Sequence, residues 1–332
     1  MRRVLRQAAV GVIALSLGAG LVPGCDEREV PAGKPAALAQ ADQTSGDQII
    51  TTFYPTEFFA SRLSGGLVKV SCPVPAEADP IFWKPDDASI ARYQGADLII
   101  VNGAEYEKWT ASASLPLTRV VDASHAFEGE LLKFQGQTHS HGAAGAHTHT
   151  GVDGHTWIDP VLAKRQAQAI LAGMTRRWPE HEKAFAANFQ KLDAELGELD
   201  AKWQRLAPAM KAARLYAGHP AYGYPARRYG IEISNVNLPP DEQVSEASWA
   251  ELAGAIAKEG TNTVGPRTML FESDPLESTA KELQARHQMV CVVFSPCETL
   301  APAARAKGED YLTVMNSNLD RLALALGVKT PK

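Results

Sequence analysis

Five of the nine histidines in this 332-residue chain lie within seventeen consecutive positions. They form two His-x-His pairs and one single residue, namely His139, His141, His147, His149 and His155. Imidazole nitrogen suits Zn²⁺ and other borderline cations, and a segment of Gly, Ala, Ser and Thr lets several rings turn toward one ion. A polar loop without function is the alternative, but random placement seldom gathers five histidines in so short a span. The cluster therefore predicts metal binding.

His155 differs from the other four histidines because the start of a helix fixes its position. Asp159 and Pro160 have the pattern of an N-cap residue followed by a first-turn proline. We expect His155 to be a permanent ligand beside a mobile cluster. In that cluster, His147 and His149 would capture metal or hand it over at the rim.

His219 is a second candidate ligand, because it follows a predicted strand. The strand pattern covers Arg214 to Ala217, and Pro220 comes directly after the histidine. Side chains just beyond the carboxyl ends of strands contact ligands in α/β folds. A histidine packed in the core is the alternative reading of this position.

Patterns of short strands and helices alternate from residue 48 to the end of the chain. The clearest strand patterns are Ile49 to Phe53, Ala96 to Gly103, Arg214 to Ala217 and Met289 to Phe294, with helical segments between them. This alternation is typical of parallel sheets covered by helices. The predicted fold class is α/β, with two Rossmann-like lobes joined by a long rigid helix.

The joining helix has a one-sided apolar seam. Its apolar residues recur at spacings of three and four: Phe185, Phe189, Leu192, Leu196, Leu199, Trp203 and Leu206. A helix over 179–210 would be about 45 Å long and would restrict wide hinge closure of the lobes. We therefore predict an N-terminal lobe at 48–178 with a His-rich loop at 135–155, the linking helix at 179–210, and a C-terminal lobe at 211–332.

The first 24 residues have the layout of a secretory signal peptide. Three arginines precede an apolar stretch, and the run from Leu21 to Cys25 resembles a bacterial lipobox, in which the cysteine is lipidated. We expect lipidated Cys25 to anchor the protein outside the cytoplasm of a bacterium, with simple secretion as the alternative. Residues 25–47 lack apolar periodicity, which favours a flexible tether.

Charge and cysteine content limit the remaining possibilities. The chain has 33 Lys and Arg against 38 Asp and Glu, a net charge of −5, and no basic stripe, so nucleic acid is excluded as a partner. Three cysteines follow Cys25, namely Cys72, Cys291 and Cys297. The last two are close enough in sequence to form a disulfide, but sequence alone does not establish that their Cβ atoms approach.

Several segments together resemble one known family. They are the strand Ile49 to Phe53 with Pro55, the segment Ala78-Asp79-Pro80 with Trp83 and Pro85, the strand Ala96 to Gly103 with Tyr106, Glu107 and Trp109, and the segments His155 to Pro160 and Gly218 to Tyr222. Over about 47–327 the chain resembles the zinc- and manganese-binding solute-binding proteins of ABC importers, called cluster A-I. The resemblance implies a metal cleft between the lobes, lined by four ligands at positions matching Ile81, His155, His219 and Ser295.

Two of these four positions depart from the family pattern. The family usually has a histidine where Ile81 stands and an acidic residue where Ser295 stands, and neither replacement is a useful ligand. We expect His139 and His141 to supply the missing donors. Glu272 is a candidate contact to a ligating imidazole and Asp79 a candidate contact to the site, with a structural role for Glu272 and turn formation before Pro80 for Asp79 as the alternatives. The competing hypothesis is a degenerate receptor that binds metal weakly or recognises a chelated ligand.

The predicted function is a non-enzymatic metal receptor. A monomer tethered to the membrane would bind Zn²⁺, or less favourably Mn²⁺, and deliver it to an ABC permease. Imidazole ligation favours zinc over manganese, and affinity should fall as pH drops through about 6.5, where imidazole becomes protonated. A secreted zinc hydrolase is the alternative, but the sequence contains no His-Glu-x-x-His or Gly-x-Ser-x-Gly motif and no acid clearly placed as a general base.

Overall fold

The computed structural model describes residues 48–140, 146–259 and 265–328, and at 134–140 and 146–150 it describes the backbone alone. These residues belong to one compact unit. The predicted signal peptide at 1–24, the tether at 25–47 and Cys25 lie outside the described residues. Within the described part of the chain, no helix combines the length and the apolar character that a membrane crossing requires.

The N-terminal lobe is built on a parallel four-stranded sheet. Its strands are β1 (Gln48–Thr51), β2 (Lys69–Ser71), β3 (Leu98–Val101) and β4 (Val120–Asp122), in the spatial order β2-β1-β3-β4. Helices α1 (Tyr54–Ser64) and α2 (Asp87–Gly95) connect the first three strands. All four residues of β3 are buried, as the continuous apolar run predicts for a strand covered on both faces.

The C-terminal lobe repeats the same strand arrangement. Its strands are β7 (Arg214–Ala217), β8 (Ile233–Asn235), β9 (Arg267–Phe271) and β10 (Met289–Val293), again all parallel, in the order β10-β9-β7-β8. Its helices are α5 (Gly223–Tyr229), α6 (Glu246–Ile256), α7 (Glu277–His287), α8 (Pro302–Ala306) and α9 (Tyr311–Ala325). In each sheet the second strand lies on one side of the first strand, and the third strand lies on the other side. Ligands of such sheets bind at the carboxyl ends of the strands near this change of direction.

Two long helices join the lobes. Helix α3 (Pro160–Arg177) precedes α4 (Glu182–Ala212), whose 31 residues span about 46 Å. The apolar seam predicted for α4 is buried, except that Phe189 is partly exposed. One continuous core runs from β1 through the seam to α9, so the helix is packed against both lobes. The predicted α/β fold with two lobes and a long joining helix is confirmed.

The histidine-rich segment differs from the predicted loop. It contains an antiparallel pair, β5 (Lys133–Ser140) and β6 (Ala146–Val152), in which His139 is opposite His147 and Gln137 is opposite His149. A β-hairpin ladder limits the freedom of these backbone positions more than the expected mobile loop would. The segment is called the His-rich hairpin below.

The open question of a disulfide is settled by the structure. Cys72, Cys291 and Cys297 are all free thiols. Cys291 lies on β10, whereas Cys297 lies in the turn beyond it with a left-handed φ of 62°. The two residues therefore do not form the bridge that their spacing allows.

Candidate metal centre

The site lies where the strands of both sheets end. From the N-terminal lobe it receives side chains that follow β2, β3 and β6, and from the C-terminal lobe side chains that follow β7, β9 and β10. The N-cap of α3 fixes one side, because Asp159 accepts hydrogen bonds from the backbone N–H groups of Val161 and Leu162 and forms an ion pair with Arg228. This anchor confirms that a helix start follows His155.

His155 is held at both ring nitrogens. Its Nδ1 lies 2.8 Å from Asp153 Oδ1, which also accepts a 3.0 Å hydrogen bond from the backbone N–H of His155. Its Nε2 lies 3.0 Å from Oε1 of Glu298. Burial of the ring opposes a positive charge, but the bonds to Asp153 and Glu298 outweigh burial and raise the pKa of His155 to about 10. The imidazole is therefore fixed in orientation and strongly basic.

His219 approaches His155 from the other lobe. It follows β7, is 5% exposed, and places its Nε2 3.5 Å from His155 Nε2. Its Nδ1 lies 4.0 Å from Oε2 of Glu272, on the side of the ring that faces away from His155. The structure thus brings together two histidines that are 64 positions apart in sequence, as the strand-end argument predicted.

Glu298 is the residue that the sequence analysis missed. The family pattern placed the acidic ligand at the position of Ser295, but the main chain of Ser295 is tied to Asn318 and its hydroxyl accepts a hydrogen bond from the backbone of Cys297. The turn that these bonds define brings Glu298 to the site instead. The sequence offered one signal for Glu298, since it is an acidic residue three positions after the one where the family usually has its acidic ligand.

Two further carboxylates lie near the histidines. Burial raises the pKa of Asp79 to about 6 and of Glu272 to about 8, and in both cases the negative charge of Glu298 adds to the rise while His155 opposes it. Asp79 also accepts a 2.9 Å hydrogen bond from the backbone N–H of Ile81. Ile81 itself is 9% exposed and contributes an apolar side chain to the core. A bound cation would favour the ionised form of both carboxyl groups, so the site is suited to a cation.

Two separations between donor atoms of the site are close to those in a tetrahedral zinc centre. In a tetrahedron with zinc–ligand distances of about 2.0–2.1 Å, neighbouring donors are about 3.3 Å apart. The measured separations of 3.0 Å (His155 to Glu298) and 3.5 Å (His155 to His219) lie on either side of that value. No group of three or more His, Cys, Asp or Glu among the described residues is already arranged around an ion position. A cation must displace the hydrogen bond between His155 and Glu298 to bind here.

The other predicted ligands lie outside this description. His141 falls outside the described residues, and for His139, His147 and His149 only the strand backbone is described. Their proposed roles in ligation and capture stay predictions.

Comparison with known proteins identifies the family. The family model described as ZnuA, zinc-uptake complex component A, periplasmic, matches residues 49–325. The chain belongs to this family. The resemblance noted from the sequence motifs is thereby confirmed.

Individual relatives are similar to this chain over most of its length. The high-affinity zinc uptake system protein ZnuA of Bacillus subtilis (strain 168) is 28% identical over 321 residues, which cover 94% of this chain and 98% of that protein. The zinc-binding lipoprotein AdcA of Streptococcus pneumoniae is 26% identical over 293 residues, or 86% of this chain, but the match spans only 57% of AdcA. The crystal structure of the metal-dependent lipoprotein YcdH from Bacillus subtilis superposes with a TM-score of 0.72 at 27% identity, covering 85% of this chain and 100% of that chain.

Proposed function

We propose that this protein is an extracytoplasmic receptor that binds Zn²⁺ and delivers it to an ABC permease for import. The observation that carries the proposal is the approach of His155 and His219, one from each lobe, to within 3.5 Å of each other beside the Glu298 carboxylate. A two-lobed member of a zinc-uptake family with such a cleft has the parts that a metal receptor needs.

Three side chains of this site are the proposed zinc ligands. They are His155 through Nε2, His219 through Nε2, and Glu298 through its carboxylate. Zinc takes the place of the proton shared between His155 and Glu298, so binding releases a proton and affinity rises with pH. Asp153 and Glu272 remain on the Nδ1 sides of the two rings, where they orient the imidazoles and increase their basicity.

The fourth ligand is assigned to Asp79. The family histidine expected at Ile81 is missing, and Asp79, two residues earlier, interacts electrostatically with both His155 and Glu298. One of its oxygens accepts the backbone bond from Ile81, which fixes the carboxylate. The prediction that His139 and His141 complete the ligand set is the competing assignment, and the experiment below separates the two.

The choice of zinc follows from the donors. Two imidazoles with carboxylate oxygens suit zinc, whereas manganese prefers a larger share of oxygen ligands. With Asp79 as the fourth protein donor, no position is left for the water that a catalytic zinc activates, as expected of a receptor and not of the hydrolase alternative. Anchoring through lipidated Cys25 and action as a monomer complete the proposal.

The test is a titration of residues 26–332 with Zn²⁺ in competition with a chelator of known affinity. We expect severe loss of affinity from His155→Ala, His219→Ala and Glu298→Ala. The matched control is His125→Ala. The side chain of His125 is 78% exposed, and within the described part of the chain its ion pair is with Glu128, outside the site. Wild-type affinity in any of the three site variants would overturn the proposed ligand set.

Two additional variants decide the fourth ligand. Asp79→Asn weakens zinc binding if Asp79 ligates the ion, while deletion of 138–150 then leaves the affinity of the cleft nearly unchanged. The opposite outcome, a large loss on deletion and none with Asp79→Asn, assigns the position to His139 and His141. Equal binding of Mn²⁺ and Zn²⁺ by the parent chain would contradict the selectivity argument.

A further inference from the structure

The hydroxyl of Tyr106 is buried and interacts with Glu298 without forming a hydrogen bond of normal geometry. The residue is 2% exposed, and among the described residues no partner meets normal hydrogen-bond geometry with its hydroxyl. A buried hydroxyl left in this way costs about 1–3 kcal/mol of stability. A phenylalanine at position 106 would have the same ring and would avoid this cost, so the presence of the hydroxyl needs an explanation.

The phenol faces the proposed zinc site. Its ring packs edge-on against the His155 ring, with centroids 6.2 Å apart. Burial raises the pKa of Tyr106 well above its ordinary value, and the negative charges of Glu298, Asp79 and Glu107 raise it further, with Glu298 the strongest of the three. The hydroxyl is therefore a protonated donor that interacts with two carboxylates of the site, Glu298 and Asp79, and its interaction with Glu298 is the stronger.

A strained turn delivers Tyr106 to this place. Gly103, Ala104 and Glu105 have successive left-handed φ angles of 75°, 52° and 55°. Two of them are not glycine, and such conformations cost free energy that the surroundings must offset. The next residue after Tyr106, Glu107, holds the turn, since its buried carboxylate accepts hydrogen bonds from the backbone N–H groups of Asn102 and Gly103 and from the Thr52 hydroxyl. Strain of this kind is concentrated at functional sites.

The residue before His155 leaves room for the Tyr106 ring. A Cβ atom on Gly154 would lie 2.8 Å from Cδ2 of Tyr106, closer than real Cβ contacts allow. Only glycine at 154 therefore lets the ring and His155 pack side by side. The left-handed turn and Gly154 together place the Tyr106 ring against His155.

We propose that Tyr106 positions the Glu298 ligand, donating a hydrogen bond to the Glu298 carboxylate when zinc takes the place of that carboxylate's bond to His155. This inference rests on the proposed function. In the present structure Glu298 Oε1 is bonded to His155 Nε2, and a zinc ion between those two atoms ends that bond. Tyr106 then satisfies the carboxylate oxygen that does not bind the ion, and its own hydroxyl gains a partner. Hydrogen-bonded carboxylates are the rule among metal ligands.

The test is Tyr106→Phe, which removes one oxygen atom and keeps the ring. We expect zinc affinity, measured by chelator competition, to fall by about 10–100-fold, the usual effect of losing such a supporting contact. The same variant should keep or raise the melting temperature of the metal-free protein, because it removes an unsatisfied buried hydroxyl. A residue with a merely structural role would not shift the two quantities in opposite directions.

Tyr216→Phe is the matched control. Tyr216 is also 2% exposed, but its hydroxyl donates to Glu259, which pairs with Arg214 and Arg267 where β7 and β9 begin, away from the cleft. Its loss should lower the melting temperature and leave zinc affinity unchanged.

A double-mutant cycle with Glu298→Gln tests the coupling directly. The effects of Tyr106→Phe and Glu298→Gln on zinc affinity should be smaller together than their sum, because both remove the same contact. Additive effects, or a Tyr106→Phe variant that binds zinc within twofold of wild type, would overturn the inference while leaving the proposed function intact. Failure of the wild-type chain to bind zinc would overturn both.

Discussion

The contact between Asp153 and His155 offers a prediction whose magnitude follows from the structure. One oxygen, Oδ1, accepts from both the ring Nδ1 and the backbone N–H of His155, at 2.8 and 3.0 Å. His155 is 1% exposed and Asp153 is 2% exposed, so water does not screen the interaction. Asp153→Asn keeps an acceptor oxygen and removes the charge, whereas Asp153→Ala removes both.

Loss of a group that supports a metal ligand weakens metal binding by about 10–100-fold, or about 1.4–2.8 kcal/mol. We place Asp153→Asn near the lower end of that range and Asp153→Ala near the upper end, because only the alanine variant also loses the geometric restraint. The assay is competition for Zn²⁺ with a chromophoric chelator, with thermal unfolding of each metal-free variant followed in parallel.

The matched control is Asp159→Asn, six residues further along the chain. Asp159 is 1% exposed and so is buried like Asp153, but its carboxylate caps α3 and pairs with Arg228 instead of holding His155. We expect this variant to lose stability and to weaken zinc binding less than either Asp153 variant, because Asp159 sets the helix start after His155 without bonding to its ring. Wild-type affinity in both Asp153 variants, or an equal loss in Asp159→Asn, would refute the claim that Asp153 acts through the His155 ring.

Three other substitutions test local features of the fold. Gly154→Ala should cost about 1–3 kcal/mol and weaken zinc binding, since its Cβ would displace the Tyr106 ring; unchanged zinc affinity would contradict this. Leu196→Ala in the fully buried seam of α4 should cost about 2–5 kcal/mol in urea unfolding, and a loss below about 1 kcal/mol would mean that the seam does not hold the lobes. Burial raises the pKa of Glu107 from 4.5 to about 7, so its contribution to stability is present below pH 4.5 and is lost as pH rises to about 7. Glu107→Gln should remove about 2 kcal/mol of that fall between pH 5 and 7. A pH-independent difference in stability between variant and wild type would be the contrary result.

The sheets and the long helix could be predicted because their patterns are local. Four-residue apolar runs such as Leu98–Val101 suit strands that are covered on both faces. The seam of α4 repeats every three to four residues, which only a helix places on one side. His155 and His219 could be chosen as candidate ligands for a similar reason, since each stands at a recognisable helix start or strand end.

Other features depend on geometry that residue types do not reveal. Glu298 reaches the site through a turn at Cys297, whose φ of 62° is unusual for any residue except glycine. Asp153 bonds to a histidine only two positions away, which spacing alone did not single out. The sequence did not indicate the strands of the His-rich hairpin, because Gly and Ala are uncommon in strands. The threonines on either side of His149 were a weak strand signal.

Zinc binding between the two lobes is tested most directly by anomalous diffraction at the zinc edge from crystals of the protein loaded with one equivalent of Zn²⁺. We predict one strong peak about 2.0–2.1 Å from the Nε2 atoms of both His155 and His219, with a Glu298 oxygen at a similar distance. A peak confined to the His-rich hairpin, with His155 still bonded to Glu298, would contradict it.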